Sequence, residues 1–212
     1  LGLLLLLSAG AAEAAACRQM VFEATPYSVC TVEQGDDLRL FHSGPDGAYG
    51  GFSALDAALE PQGSRLQFGM NAGMYQPDLS PVGLYIENGV ELSPLITADG
   101  PGNFGLLPNG VFCIGARFSI KESRSFAKKS PTCRYASQSG PMLVINGKLH
   151  PRFLPDSDSL NIRNGVRVSA DGSQAVFALS DRPGNVHSFA RFCRHGLGLP
   201  DALYFDGSIS RL

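Results

Sequence analysis

Three short stretches share a form suited to holding a ligand: Phe68-Gly69-Met70-Asn71-Ala72-Gly73, Ser137-Gln138-Ser139-Gly140-Pro141 and Tyr204-Phe205-Asp206-Gly207-Ser208. In each, an apolar strand runs into small residues that carry one polar side chain. Glycine lets a ligand come close to the backbone, and free N–H groups there can cradle an anion. One such stretch alone reads as turn chemistry; three in one chain point to a site. Arg163, in Asn161-Ile162-Arg163-Asn164-Gly165, offers a planar fork of donors that fits phosphate. Asp181 ends the strand pattern Ala175 to Ser180, where chemistry is often presented, although an aspartate before Arg182-Pro183 is also ordinary turn chemistry. His187 adds an imidazole at a helix start, where a solvated or capping role is commoner than acid–base work.

Other chemistries lack their residues. The nearest match to G-x-S-x-G, Gly207-Ser208-Ile209-Ser210, has no second glycine, and there is no P-loop. No Cys-x-x-Cys or compact Cys/His or Asp/His cluster suggests a metal, so no metal and no cofactor is expected. Net charge is −2, which offers no basic face to nucleic acid or anionic lipid.

The elements that must position these residues are short. Val29 to Val32 and Leu38 to His42 alternate as strands around the loop Gln34-Gly35-Asp36-Asp37. Phe52 to Glu60 reads as a helix capped by Ser53 and ended by Pro61. Leu66 to Met70 and Gly83 to Glu87 read as strands. Asn88-Gly89, Asn146-Gly147 and Asp171-Gly172 are hairpin turns that want positive φ. Leu84 to Pro94 and Leu143 to Pro151 repeat one arrangement of strand, Asn-Gly turn, returning strand and proline, as an old duplication or any two such hairpins would. His187 to His195 reads as a helix closed by Gly196, and Ala202 to Phe205 as a strand. Strand runs and hairpins without regular βα alternation predict a single α+β domain, with mixed, mostly antiparallel twisted sheet and a few flanking helices.

The first residues predict export. Leu1 to Leu7 is nearly all leucine, and small residues follow to Ala16. The run is shorter than the roughly 20 apolar residues that span a bilayer, and it reads as a signal peptide, incomplete at its start. Cleavage fits after Ala14 or after Ala16, which leaves 17–212 as the domain. The second site exposes Cys17, so a lipoprotein anchor is the lesser alternative, because a lipobox prefers a larger residue where Ala14 stands. The predicted location is periplasmic or extracellular. There, bridges Cys17–Cys30 and Cys113–Cys133 fit near-neighbour pairing with Cys193 left over, although sequence alone does not fix connectivity.

Six motifs in order carry a resemblance: Asn71-Ala72-Gly73-Met74-Tyr75, Pro81-Val82-Gly83-Leu84, Asn109-Gly110-Val111-Phe112, Gln138-Ser139-Gly140-Pro141-Met142-Leu143, Arg163-Asn164-Gly165-Val166 and Leu203-Tyr204-Phe205-Asp206-Gly207-Ser208. Together they resemble the phosphodiester glycosidase family over nearly all of 17–212. The family often has Arg-Thr-Ala where this chain has Arg163-Asn164-Gly165, and Asp-Gly-Gly-Gly-Ser where it has Asp206-Gly207-Ser208-Ile209-Ser210. It usually continues beyond this last motif, so a further C-terminal segment is expected. The resemblance implies an exported hydrolase of a sugar–O–phosphate bond, acting on a sugar-phosphate or glycan. The alternatives are a non-catalytic carbohydrate-binding or envelope-assembly protein on the same fold, and a hydrolase of another phosphodiester headgroup. Asp206, Asp181 and Arg163 are then the catalytic candidates. Asn71, Gly73, Gln138, Ser139, Gly140, Asn164, Gly207 and Ser208 are the substrate-binding candidates.

Overall fold

A computed structural model describes residues 15–206. The leucine-rich start, Gly207 and Ser208 lie outside the described residues.

Two antiparallel sheets carry the fold. The larger has seven strands in the order β1-β2-β13-β12-β14-β10-β11. They are β1 (Ala16–Phe22), β2 (Thr25–Glu33), β10 (Met142–Ile145), β11 (Lys148–Leu149), β12 (Asn164–Val168), β13 (Gln174–Ser180) and β14 (Asp201–Tyr204). The smaller has five, in the order β6-β5-β9-β7-β8. These are β5 (Tyr85–Glu87), β6 (Val90–Ser93), β7 (Gly110–Ile114), β8 (Phe118–Glu122) and β9 (Tyr135–Ser139). β3 (Ser43–Gly44) and β4 (Gly47–Ala48) form a small separate ribbon.

Strand alternation builds the layers. On β12, Val166 and Val168 face the other sheet, while on β13 Ala175 and Phe177 do so; Phe112 and Ile114 of β7 answer them. The opposite side of the large sheet, with Val176, Ala178, Leu143 and Ala202, is covered by α4 (Val186–Arg191) and the π-turn Phe192–Gly196. The opposite side of the small sheet is covered by α3 (Ser123–Lys129), whose Phe126 packs with Leu84, Val111 and Ala136. The result is helix, sheet, sheet, helix: the α+β arrangement that the strand runs predict, mostly strand and antiparallel.

The three hairpin turns fall where expected. Asn88 and Gly89 have φ of 49° and 79°, Asn146 and Gly147 48° and 73°, and Gly172 71°. Both expected disulfides form, Cys17–Cys30 across β1 and β2 and Cys113–Cys133 under α3, with Cys193 free and buried.

Three expectations need correction. Leu38 to His42 is not a strand. β2 already has β1 and β13 on its two sides, so no ladder position remains, and the alternation instead buries Leu40 in the core. Leu66 to Met70 carries a bridge only at Gly69; its Phe68 anchors it on Phe177, with ring centroids 5.4 Å apart. The first helix, α1 (Phe52–Leu59), begins at Gly51 with no side-chain cap rather than at Ser53, and Pro61 sits inside the following 3-10 turn Glu60–Gln62.

Phe112 joins the sheets. It lies 5.8 Å from Phe177 and 6.3 Å from Phe205 across the interface, and 6.3 Å from Phe118 beside it. Arg167 is the opposite kind of buried residue. It points from β12 under the helix layer, fully buried, and its three guanidinium nitrogens have no hydrogen-bond partner among the described residues. Burial pulls it down to about 10, and pushes the neighbouring Cys193 thiol up to about 12. Two outcomes follow for denaturant melts. Phe112→Ala should cost about 3–5 kcal/mol by leaving a cavity between the sheets. Arg167→Met, which removes a desolvated charge at similar volume, should gain about 1–4 kcal/mol. A loss of stability in the second variant would mean that the guanidinium is compensated.

Candidate functional site

The site candidates sit at one end of the sandwich, where strand ends of both sheets meet. β9 stops at Ser139, the chain crosses through Gly140 and a cis Pro141, and β10 starts in the other sheet at Met142. β12 starts at Asn164, β14 stops at Tyr204 and β13 stops at Ser180 at this same end.

Hydrogen bonds close a ring around this end. Asn164 Nδ2 donates to the Asn71 carbonyl at 3.1 Å. The Asn164 carbonyl accepts from the Phe205 N–H at 3.1 Å, one residue before Asp206. The Tyr204 N–H donates to the Pro141 carbonyl at 3.1 Å. From Pro141 the chain runs back through Gly140 and Ser139 to Ser137, whose hydroxyl donates to the Ala72 carbonyl at 2.7 Å. Asn71, Gly73, Ser139, Gly140 and Asn164 are thus brought together, with Asp206 half-buried beside them.

Glycine is required where the ring is tightest. A Cβ on Gly73 would lie 2.8 Å from Ser137 Oγ and 3.1 Å from the Gln138 carbonyl. One on Gly140 would lie 2.7 Å from Asn109 Cβ. Ser139 Oγ and Asn109 Oδ1 are fully buried and make no hydrogen bond among the described residues. Buried polar atoms without partners are uncommon and mark places where a ligand or water completes the set. Asn109 is a residue that motif reading leaves without a role, although its Asn-Gly pair at the start of β7 was visible.

Three candidates are engaged elsewhere. Gln138 is buried, and its side chain locks the neighbouring loop to the sheet. Oε1 accepts from the Leu84 and Ile96 N–H groups, both at 3.0 Å, while Nε2 donates to the Ile96 carbonyl at 2.5 Å and to Ser123 Oγ at 2.9 Å. Arg163 is buried too. Nε donates to the Gly184 carbonyl at 2.9 Å, Nη2 to the Ser159 carbonyl at 2.7 Å and Nη1 to Tyr204 Oη at 3.2 Å. With Asn185 Nδ2, which donates to the Pro155 carbonyl at 2.8 Å, it fixes the path of the irregular segment before β12. Asp181 lies at the same sheet end but is exposed, and Oδ1 accepts from Ser28 Oγ at 2.9 Å. Gly207 and Ser208 lie outside the described residues, and His187 sits in the first turn of α4.

The ring makes a measurable demand. Gly73→Ala should cost about 1–3 kcal/mol in denaturant melts, because the backbone carbonyl it meets has little freedom to yield. Gly184→Ala, with nothing within 4 Å of its added Cβ, should be nearly silent. Equal effects would show that the segment around Asn71 is not held as described.

Residues 64–211 match the profile of the family described as phosphodiester glycosidase. The chain is 39% identical over 181 residues to the uncharacterized protein YigE of Escherichia coli (strain K12), covering 84% of this chain and 70% of that one. Its fold is similar to the catalytic domain of zebrafish N-acetylglucosamine-1-phosphodiester alpha-N-acetylglucosaminidase, auto-inhibited by its pro-peptide, with a TM-score of 0.56 over 92% of this chain and 70% of that chain. At 15% identity that likeness speaks for the fold alone. From its sequence and its fold together, this chain belongs to the phosphodiester glycosidase family.

Proposed function

We propose that the protein is an exported hydrolase, with residues 1–16 as its signal segment, that cleaves the bond between an anomeric carbon and a phosphodiester oxygen. The observation that carries this reading is the hydrogen-bonded ring, which gathers Asn71, Gly73, Ser139, Gly140 and Asn164 around the strand end leading to Asp206. Family membership supports the reaction class. Two disulfides suit an oxidising compartment, and among the described residues no helix is long and apolar enough to cross a membrane.

In the proposed reaction the anomeric C–O bond breaks and water supplies the new oxygen. The phosphate monoester leaves as a weakly basic anion, so it needs charge stabilisation more than a strong acid. Asp206 is the carboxylate that attacks the anomeric carbon or takes the proton from water, with Asp181 the second candidate. Asn71, Asn164 and Ser139 are the proposed sugar-orienting side chains, Gly73 and Gly140 the proposed backbone contacts, and Gly207 and Ser208 further binding candidates. Arg163 has one Nη1 hydrogen left after the Gly184 and Ser159 carbonyls, Ser159 Oγ and Tyr204 Oη, and this is the proposed donor to the leaving phosphate. Its spending on main-chain carbonyls and Tyr204 also favours a second reading, carbohydrate binding on this fold without turnover.

Free sugar released from a panel of sugar-1-phosphodiesters separates the two. Turnover is expected for at least one member, and Asp206→Asn should lower it on the order of 10²–10⁴-fold with the fold unchanged. Wild-type turnover in that variant would move the role to Asp181. Sugar binding without release by the parent protein would establish the second reading.

A further inference from the structure

Among the described residues His150 is the one histidine that the fold buries, at 2% exposed, and it lies directly after β11. Both of its ring nitrogens are engaged. Nε2 lies 3.2 Å from the Leu107 carbonyl, which can only accept, so Nε2 carries a hydrogen. Nδ1 lies 3.2 Å from the Arg152 main-chain nitrogen, whose N–H can only donate, so Nδ1 carries none. The two contacts together select the neutral ring and one of its tautomers. The ring also stacks on Phe153, with centroids 4.7 Å apart and planes 23° from parallel, which limits how far it can turn.

These contacts join two runs of chain that reach the candidate site from different sides. Leu107 lies two residues before Asn109, whose Cβ crowds Gly140, and the Pro108 carbonyl between them accepts the Met142 N–H at 2.9 Å. On the other side His150 opens the irregular segment before β12. The Phe153 N–H donates to the His150 carbonyl at 3.3 Å, and the chain runs on to Ser159, whose carbonyl accepts from Arg163 Nη2 at 2.7 Å. The imidazole is thus a tie between the approach to the sheet crossing and the start of the segment that borders the ring of hydrogen bonds.

Protonation cannot leave this tie intact. A second ring hydrogen would sit on Nδ1 and face the Arg152 N–H, donor against donor. The Nε2 contact survives in the cation, but Arg152 loses its acceptor. Burial pulls the imidazole below its ordinary value; the hydrogen bond to Leu107 opposes this, and the Arg152 charge adds to it. Other charged groups nearby are few. Leu106-Leu107-Pro108, β10 and Phe153 carry none, and β11 carries Lys148, which is exposed. α4, which packs against β11, brings His187 and Arg191, the latter paired with Glu23.

We propose that His150 is an acid-sensitive clasp on the border of the candidate site. Neutral, it holds the turn at Arg152 and Phe153 against Leu107; protonated, it lets that turn come away, while Arg163 and Asn185 still grip the segment further on. Access to the site from this side then depends on pH. The unfolded chain takes up the proton first, so the clasp contributes fully above the ordinary imidazole value of about 6.5 and is lost as pH falls below it towards the folded value. The inference rests on the place given to the site under the proposed function, and not on its reaction.

Nitrogen-15 NMR and amide hydrogen exchange of the whole chain test it, scanned from about pH 8 to about pH 4 with exchange corrected for its intrinsic pH dependence. The chain holds four histidines, and His150→Gln identifies the His150 signal by its loss. At the alkaline end the ring is expected as the neutral Nε2–H tautomer, and it should titrate below about 6.5. The Arg152 and Phe153 amides should lose protection about tenfold at that same midpoint, the effect of one lost hydrogen bond, while those of β12 and β13 keep theirs. Glutamine at position 150 carries a side-chain N–H that can serve Leu107 and does not titrate, so His150→Gln should show no step there. If that variant fails to fold, the tautomer, the midpoint and the coincident loss of protection in the parent still decide. An Nδ1–H tautomer, a midpoint at or above the ordinary value, amides that ignore the ring's titration, or the same step in His150→Gln overturns the proposal. No substrate enters these measurements, so the sugar-phosphate reading can fail in its own panel while the clasp stands, and the reverse.

Discussion

Phe112 sits between the two sheets with its edge on Phe177 and Phe205 and its neighbour Phe118 alongside. Its apolar burial sets how closely β7 approaches β13 and the end of β14. Phe205 is fully buried by that contact, and its N–H is spent on Asn164. The backbone that delivers Asp206 is therefore positioned from the core outward. The same contact keeps the strand ends of both sheets level, so that the crossing at Gly140-Pro141 is short and Ser137 can reach Ala72. A sandwich with a looser centre would have the same residues and no ring.

Much of this was legible. Three Asn-Gly or Asp-Gly turns, flanked by apolar alternation, identify hairpins because few other residues accept positive φ at those positions. A repeated form, small residues at strand ends, singled out the stretches around Asn71, Gln138, Ser139 and Asp206, and the hydrogen bonds of the ring run through these stretches. The failed strand reading has a physical cause. Leu38 to His42 has strand periodicity, but periodicity reports only that alternate residues are buried, and whether a ladder position is free depends on which strands flank β2. The pairing of β2 with β13, some 150 residues away in the chain, carries no local signal.

Side-chain roles were less legible than positions. Gln138 and Arg163 have the chemistry of substrate-binding groups, and both lie at the site end. Yet both make hydrogen bonds to main-chain groups of the protein itself. Unlike Arg167, which meets none among the described residues, these long polar side chains take partners where they are nearest, because leaving a donor unmet costs more than a bond gains. Sequence identifies the donor but not the acceptor. Ser139 and Asn109 are the reverse case: short polar side chains in buried strand ends, whose interest lies in the atoms that their surroundings leave unmet.

The segment leading to β12 has no helix or strand between Leu154 and Leu160, and both of those leucines face solvent. Its course is dictated from outside, by Arg163 and Asn185 gripping the carbonyls of Ser159, Pro155 and Ser157. A carbonyl is the one group that every amino acid supplies. The grip reads the route of the chain and is blind to the side chains along it. This stretch, beside the ring, is thus free to exchange bulk and charge from one relative to another while its backbone stays put. Here the architecture separates inheritance of a frame from innovation at its border.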